Sequence, residues 1–367
     1  MRAVFVSYAA AQPANRGKLR ALGGLGCTVA VAVPDRWAGA PAGAVQHTDW
    51  SDDGGVRVVP IPVRGAADEP PALRWNRREL RRLLADFRPD VLQIEETPGS
   101  YAAAAAAAAG RRLGIRVVLL ATESVRQSYT LGERLRRARV LRSAAGIIGI
   151  NRLALGLLTR VRPEVPHAVI PQLGVVPPGR VDRVPHDGLA IGFVGRLVPE
   201  RGVDTLLRAS VRLAGPWTLT VAGTGPAQEE LEALAERLGI AARIRWLGGV
   251  PRRDLDAIWP TLDCVVLPAR TTQRWVEPVG QPLLDAMGHG IAVVASTSGA
   301  LPDVIGDAGH LVAEDDPAAL SDVLQRLADD PAARERLGAD GRRRVIGNFS
   351  ESAVARHTME FWQRLPK

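Results

Sequence analysis

The stretch Glu277-Pro-Val-Gly-Gln-Pro-Leu-Leu-Asp285-Ala-Met-Gly-His-Gly290 sets two carboxylates around what reads as the start of a helix. Pro282 opens that helix where its missing N–H costs nothing, and Gly290 marks the stop. A helix N-terminus carries free backbone N–H groups and a partial positive charge, so it suits the oxygens of a polyhydroxylated, phosphorylated ligand. Carboxylates beside it accept bonds from hydroxyls. A second segment, Gly192-Phe-Val-Gly195-Arg196-Leu-Val-Pro-Glu-Arg201-Gly202, runs from an apolar strand through a glycine turn with two cations into another helix. There a guanidinium can bond two oxygens of a diphosphate at once. Two loop arginines alone would read as surface charge; the Gly-Arg…Arg-Gly frame directly after a strand makes phosphate binding an equal alternative.

These segments need a scaffold that ends several strands side by side. Over residues 1–175, apolar runs read as strands at Ala3–Val6, Thr28–Val33, Val58–Val63, Val91–Ile94, Val117–Leu120, Gly146–Ile150 and Ala168–Ile170. Helices are expected between them, as at Arg74–Phe87 and Ala102–Leu113. Tyr101-(Ala)8-Gly110 reads as a helix packed closely on a neighbour, since alanine is the best helix former and adds little bulk. Such alternation predicts an α/β fold with a parallel sheet covered on both faces and ligands beyond the carboxyl ends of its strands.

Residues 176–188 are rich in proline and glycine and read as a linker. Alternation then restarts: strands at Leu189–Val194, Thr218–Ala222, Ile244–Leu247 and Cys264–Leu267, helices at Val203–Leu213, Ala227–Leu238 and Arg253–Trp259. Helices at Pro317–Ala328, Ala332–Val345 and Ser350–Leu365 follow, the last expected to cross back to the first domain. The expectation is two Rossmann-like doubly wound domains, 1–175 and 189–349, with 350–367 as the closing helix.

A length of 367 residues agrees with two domains, and 46% apolar with 23% charged residues is the composition of a soluble globular chain. The net charge of +8 divides into +12 over residues 1–185 and −4 over the rest. The basic half lacks the aromatic interleaving of single-strand binders and any zinc or helix-turn-helix signature, so nucleic acid is not the expected partner. Anionic substrates or an anionic membrane surface suit the charge better. The basic stretch holding Arg134, Arg136, Arg137, Arg139 and Arg142 among Leu131, Leu135 and Leu141 carries the membrane reading; a solvated helix face is its alternative. Cys27 and Cys264 are too few for a disulfide framework, are expected reduced and buried, and suggest the cytoplasm. The opening residues read as a first strand rather than a signal peptide, and no apolar run approaches the roughly 20 residues of a membrane span.

Ala222-Gly223-Thr-Gly225 is a strand-to-helix turn whose glycines let a ligand approach the backbone, although any tight turn there needs glycine. Trp246-Leu247-Gly248 ends the next strand, and its tryptophan would flank a nucleobase or sit in the core. Taken with Asp263-Cys-Val-Val-Leu-Pro268, Glu277 to Gly290 and Gly299-Ala-Leu-Pro-Asp303, and in this order, these segments resemble the retaining glycosyltransferases of family 4, which have the GT-B architecture.

The resemblance implies transfer of a sugar from a nucleotide diphosphate-sugar, with retention and without metal or other cofactor, to a carbohydrate, lipid-linked or small-molecule hydroxyl. By position Arg196 and Arg201 would hold the diphosphate and Glu277 the donor-sugar hydroxyls. Val279 and Gly280 would offer backbone amides, and Asp285 would face the ribose. Gly195, Gly223, Gly225, Trp246, Leu247 and Gln281 complete the donor-binding set. The family usually has Lys at the place of Arg201 and Glu at that of Asp285. Over the first domain, Pro89-Asp-Val-Leu-Gln93-Ile-Glu95-Glu96-Thr-Pro98 resembles a strand-end segment where many members have His-x-His. Glu95 and Glu96 are expected to line the acceptor side of an interdomain cleft, against a solvated strand end. A nucleotide-sugar epimerase of the same architecture, or a non-catalytic sugar-nucleotide-binding subunit, are the alternatives.

Overall fold

Runs such as Thr28–Pro34, buried at every position after the first, cannot alternate polar and apolar faces, and they pair as sheets covered on both sides. In the computed structural model, which describes residues 1–38, 44–179 and 183–366, the chain divides into two units. The first comprises Met1–Gly174 and Glu351–Lys367, the second Val175–Ser350.

The strands of the first unit's main sheet are β1 (Arg2–Val6), β2 (Thr28–Pro34), β3 (Ser51–Asp53), β4 (Val56–Ile61), β5 (Val91–Ile94), β6 (Arg116–Ala121), β7 (Ala144–Gly149) and β8 (His167–Val169). Their order is β8-β7-β6-β5-β1-β2-β4-β3, parallel except where β3 pairs with β4. One face, with Val4, Val6, Ala30 and Ala32, is packed by α2 (Arg77–Phe87), α3 (Tyr101–Arg112), α4 (Leu131–Arg142) and α5 (Arg152–Thr159). The other, with Ala3, Phe5, Val29 and Val31, is packed by α1 (Gly17–Gly24) and by Val354, Phe361, Trp362 and Leu365 of the chain's closing segment. Trp362 also donates its Nε1–H to Gln93 Oε1 at 3.1 Å.

The second unit's strands are β9 (Leu189–Val194), β10 (Trp217–Ala222), β11 (Ile244–Gly248), β12 (Cys264–Leu267), β13 (Ala292–Ser296) and β14 (His310–Val312), in the order β11-β10-β9-β12-β13-β14 and all parallel. Between and after them run α6 (Val203–Ser210), α7 (Gln228–Arg237), α8 (Gln281–Gly288), α9 (Leu301–Ile305), α10 (Pro317–Asp329) and α11 (Pro331–Arg344), followed by α12 (Glu351–Gln363), which belongs to the first unit.

Several expected elements are corrected. The helix expected from Arg74 starts at Arg77, because Asn76 caps it by accepting from the N–H groups of Arg78 and Glu79. Arg74–Trp75 instead pairs antiparallel with Val63–Arg64, so the strand expected over Val58–Val63 ends at Ile61 and restarts. The helix expected over Arg253–Trp259 is two short 3-10 turns, Arg252–Ala257 and Trp259–Thr261, and Pro260, with no N–H to donate, interrupts any continuous ladder there. Of the expected linker, residues 180–182 lie outside the described residues. On either side of them, Val175 bridges to Ser350, the Val184 N–H donates to Pro260 O at 3.0 Å and Arg183 donates to Gly290 O at 2.7 Å.

Candidate functional site

Beyond the carboxyl end of β9 the ladder continues into the loops. The Gly195 N–H donates to Ala222 O at 2.9 Å, the Leu197 N–H to Thr224 O at 2.9 Å, and the Gly223 N–H to Gly248 O at 2.7 Å. Gly223 sits at φ +153°, and a Cβ there would stand 1.8 Å from Gly195 O, so only glycine lets the two strand ends approach. A Cβ on Gly225 would meet Leu197 O at 2.2 Å for the same reason. The result is a pair of glycine turns held tightly together at the ends of β9 and β10.

In the loop before α8 the fold has taken a carboxylate out of water. Glu277 is 2% exposed. Its Oε1 accepts from the Gly280 N–H at 2.9 Å and the Val279 N–H at 3.4 Å, and its Oε2 is paired with Arg201. Gly280, at φ +70°, is the N-cap of α8, and the Val279 and Gly280 amides expected to face the donor are taken up by this carboxylate, which occupies the positive end of the helix itself. Arg201 also lies over the Trp275 ring, 5.5 Å from its centroid. Arg201, Glu277, Val279 and Gly280 thus form one cluster.

One turn further on, Asp285 accepts from Gln281 Nε2 at 3.2 Å and from Arg252 Nη2 at 2.8 Å. Burial holds its carboxyl above the usual aspartate range, with the Arg252 charge and the Gln281 bond pulling the other way. Arg196 stands exposed and forms no ion pair with any described residue. Trp246 lies mid-strand in β11, half-buried with Leu247, and both pack against the core.

In the first unit, Glu95 and Glu96 follow β5 and are 9% and 7% exposed, so neither is a solvated strand end. Glu95 Oε1 accepts from Lys18 Nζ at 2.5 Å and Gln93 Nε2 at 2.9 Å, and its Oε2 from Gln172 Nε2 at 3.4 Å. Glu96 accepts from the Tyr8 N–H, yet burial, with the neighbouring Glu95 charge adding to it, pushes its pKa up to about 8. Trp275 and Arg252 were not singled out from sequence: each is a long-range partner, of Arg201 and of Asp285 respectively, and such pairing leaves no local period.

Among the described residues no three His, Cys, Asp or Glu side chains gather as a metal site would require, and no helix is long and apolar enough to cross a membrane.

A family model described as glycosyl transferases group 1 matches residues 180–344, and one described as glycosyl transferase 4-like domain matches residues 11–172. The chain is 31% identical over 211 residues to 2-deoxystreptamine glucosyltransferase of Streptomyces kanamyceticus, covering 52% of this chain and 53% of that protein. It is 33% identical over 163 residues to the GDP-mannose-dependent alpha-(1-6)-phosphatidylinositol monomannoside mannosyltransferase of Mycolicibacterium smegmatis, covering 42% and 43%. The chain thus spans about half the length of the curated relatives it matches. Among solved structures, HepE of Anabaena in complex with UDP matches with a TM-score of 0.72 at 15% identity over 100% of both chains. Sucrose-phosphate synthase of Thermosynechococcus elongatus matches with 0.69 at 18%, over 100% of this chain and 99% of that one. These likenesses are of fold. With two parallel Rossmann-like sheets and a family model on each side of residue 175, the chain belongs to the family 4 glycosyltransferases of GT-B architecture.

Proposed function

We propose that this chain transfers a sugar from a nucleoside diphosphate-sugar to a hydroxyl of a carbohydrate, lipid-linked or small-molecule acceptor, with retention at the anomeric carbon and without a metal ion. The observation that carries the reading is the pairing of buried Glu277, just before α8, with Arg201 from the loop that follows β9. Relatives named as a glucosyltransferase and a GDP-mannose-dependent mannosyltransferase, and a fold neighbour solved with UDP, support a nucleotide-sugar donor.

Breaking the anomeric C–O bond puts negative charge on the departing diphosphate and positive charge on the sugar. Arg196, without a carboxylate partner among the described residues, and Arg201 stabilise the first as preorganised cations, aided by the dipole of α8. Glu277 holds donor-sugar hydroxyls, and its negative charge lies near the sugar as it becomes cationic. The leaving phosphate oxygen takes the acceptor proton on the face it departs from, which accounts for retention without a protein nucleophile. Asp285 holds the ribose. Glu95 and Glu96 belong to the acceptor side.

The proposed setting is the cytoplasm, at the inner membrane face when acceptors are lipid-linked. Leu131 and Leu135 of α4 are exposed beside its arginines, whereas Leu141 is core. Sedimentation with anionic and neutral vesicles tests that contact; equal, negligible binding to both removes it.

The central test is a panel of UDP-, GDP-, ADP- and TDP-sugars with and without acceptors, following nucleoside diphosphate release and product anomeric configuration by NMR. Acceptor-dependent release with retention is expected, unchanged by EDTA. Sugar interconversion without acceptor would mean an epimerase, and donor binding without turnover a binding subunit.

A further inference from the structure

The alanine helix α3 does more than pack. Its outward stripe, Tyr101, Ala104, Ala105, Ala108, Arg111 and Arg112, follows the spacing of one helix face, and methyl side chains there leave a trough between the flanking α2 and α4. The trough is a cavity of about 530 Å³. At 1.5 Å per residue its alanine floor, Ala104 to Ala109, runs roughly 8 Å along the helix axis.

The walls are cationic. Seven arginines line the trough: Arg77, Arg78 and Arg81 from α2, Arg111 and Arg112 from the end of α3, and Arg136 and Arg139 from α4. No carboxylate is among the lining residues, and none of the seven forms an ion pair with a described residue. Arg136 is fixed in place: its Nε donates to Gly99 O at 2.8 Å, and its guanidinium lies over the Tyr101 ring at 4.1 Å from the centroid. Like charges this close repel, and the trough's low walls concentrate the field, so the arrangement favours a compact anion. Seven guanidinium groups lining one cavity can supply donors to several phosphate oxygens at once, whereas a dispersed basic surface would not.

We infer that the α2–α3–α4 trough is a binding site for a ligand carrying two or more clustered phosphate groups, separate from the donor site in the second unit. The phosphates come either from a soluble molecule or from a lipid headgroup, and the two sources share the same contacts.

The test uses the full chain and inorganic tripolyphosphate as probe, measured by calorimetry near physiological salt, with vesicles containing a bisphosphorylated inositol lipid, vesicles of phosphatidylglycerol and neutral vesicles as parallel arms. Three variants separate the causes. R81E/R139E reverses charge at exposed positions, A104L/A108L fills the floor without touching charge, and R196A alters only the donor side. Tripolyphosphate binding, or binding to the bisphosphorylated vesicles alone, should fall at least ten-fold in both trough variants and persist in R196A; the arm that binds identifies the source. Unchanged thermal unfolding keeps a misfolded variant from being read as a positive result. The inference is overturned by binding that survives both trough variants, by binding lost only in R196A, by sulfate binding as tightly as tripolyphosphate, by phosphatidylglycerol vesicles binding as tightly as the bisphosphorylated ones, or by no binding in any arm. The glycosyltransferase assay stands apart from all of these outcomes.

Discussion

Lys18 and Glu95 are joined by an ion pair of 2.5 Å although 77 residues separate them, with their side chains only 3% and 5% exposed. Lys18 reaches it from the first turn of α1 and Glu95 from the end of β5, so the pair ties the helix to the strand end that carries both acidic residues. Gln93, held in turn by Trp362, donates to the same Glu95 oxygen and brings α12 into the network.

Removing one partner of such a pair strands the other as a buried charge. Lys18→Met is therefore expected to destabilise the first unit by about 3–5 kcal/mol, and Lys18→Met with Glu95→Gln by clearly less. Denaturant unfolding of both variants checks this. A single-variant loss below about 1 kcal/mol would mean water reaches the pair.

Glu96 sets a pH dependence of opposite origin. Its folded pKa, about 8, lies above the ordinary glutamate value of 4.5, so folding takes up a proton between those values. The stability it contributes is fully present below pH 4.5 and is lost as pH rises through about 8. At about 1.4 kcal/mol per unit the window amounts to several kcal/mol at most. Glu96→Gln should flatten the decline in stability between pH 5 and 8 measured by thermal or denaturant unfolding; a slope identical to the parent's would show that Glu96 ionises normally.

The second unit allows two arginines to be told apart. Arg196 has no carboxylate partner among the described residues, so Arg196→Ala should leave thermal unfolding unchanged while lowering kcat/KM by about 2–5 kcal/mol of transition-state stabilisation. Arg201 pairs with buried Glu277 and covers Trp275, so Arg201→Ala should lower both stability and kcat/KM, and Arg201→Lys should cost far less of each. Near-parental turnover in Arg196→Ala would remove that residue from the diphosphate.

How legible this was in the sequence depended on range. Strands such as Val91–Ile94 and Leu189–Val194 have the expected bounds because residues buried on both sheet faces form continuous apolar runs. Asn76 followed by Glu79 was a legible cap that the apolar pattern overrode. Strands β13 and β14 and helix α5 were not read, although Ala292–Ser296 is wholly buried and Asn151 caps α5. Within the candidate site, Gly195, Gly223 and Gly280 announce themselves because their backbone conformations exclude other residues. Lys18 and Arg252 carry no such mark. A salt bridge across tens of residues leaves no local period, and the alanine run hid a trough because its charged walls lie on two other helices.

The two carboxylates of α8's opening turns should separate in kinetics, and Arg252 supplies the means. Asp285 already has partners: Arg252, whose side chain is 67% exposed, and Gln281. A pair with one so exposed member is worth about 0–1 kcal/mol, so a ribose hydroxyl can displace Arg252 at little cost. Arg252→Ala should then leave affinity for nucleoside diphosphate unchanged or slightly improved. Asp285→Ala should weaken nucleoside diphosphate and nucleotide-sugar alike, raising KM with little effect on kcat, because the ribose is remote from the breaking bond and binds equally in ground and transition states. Glu277→Ala should do the reverse, lowering kcat while the nucleoside diphosphate affinity stays nearly constant, since its partner hydroxyls lie on the reacting sugar. Calorimetry with nucleoside diphosphate on the three variants, alongside steady-state kinetics, decides it. The opposite pattern would exchange the roles of Glu277 and Asp285, and a marked loss of affinity in Arg252→Ala would make that arginine a ligand contact rather than a displaceable partner.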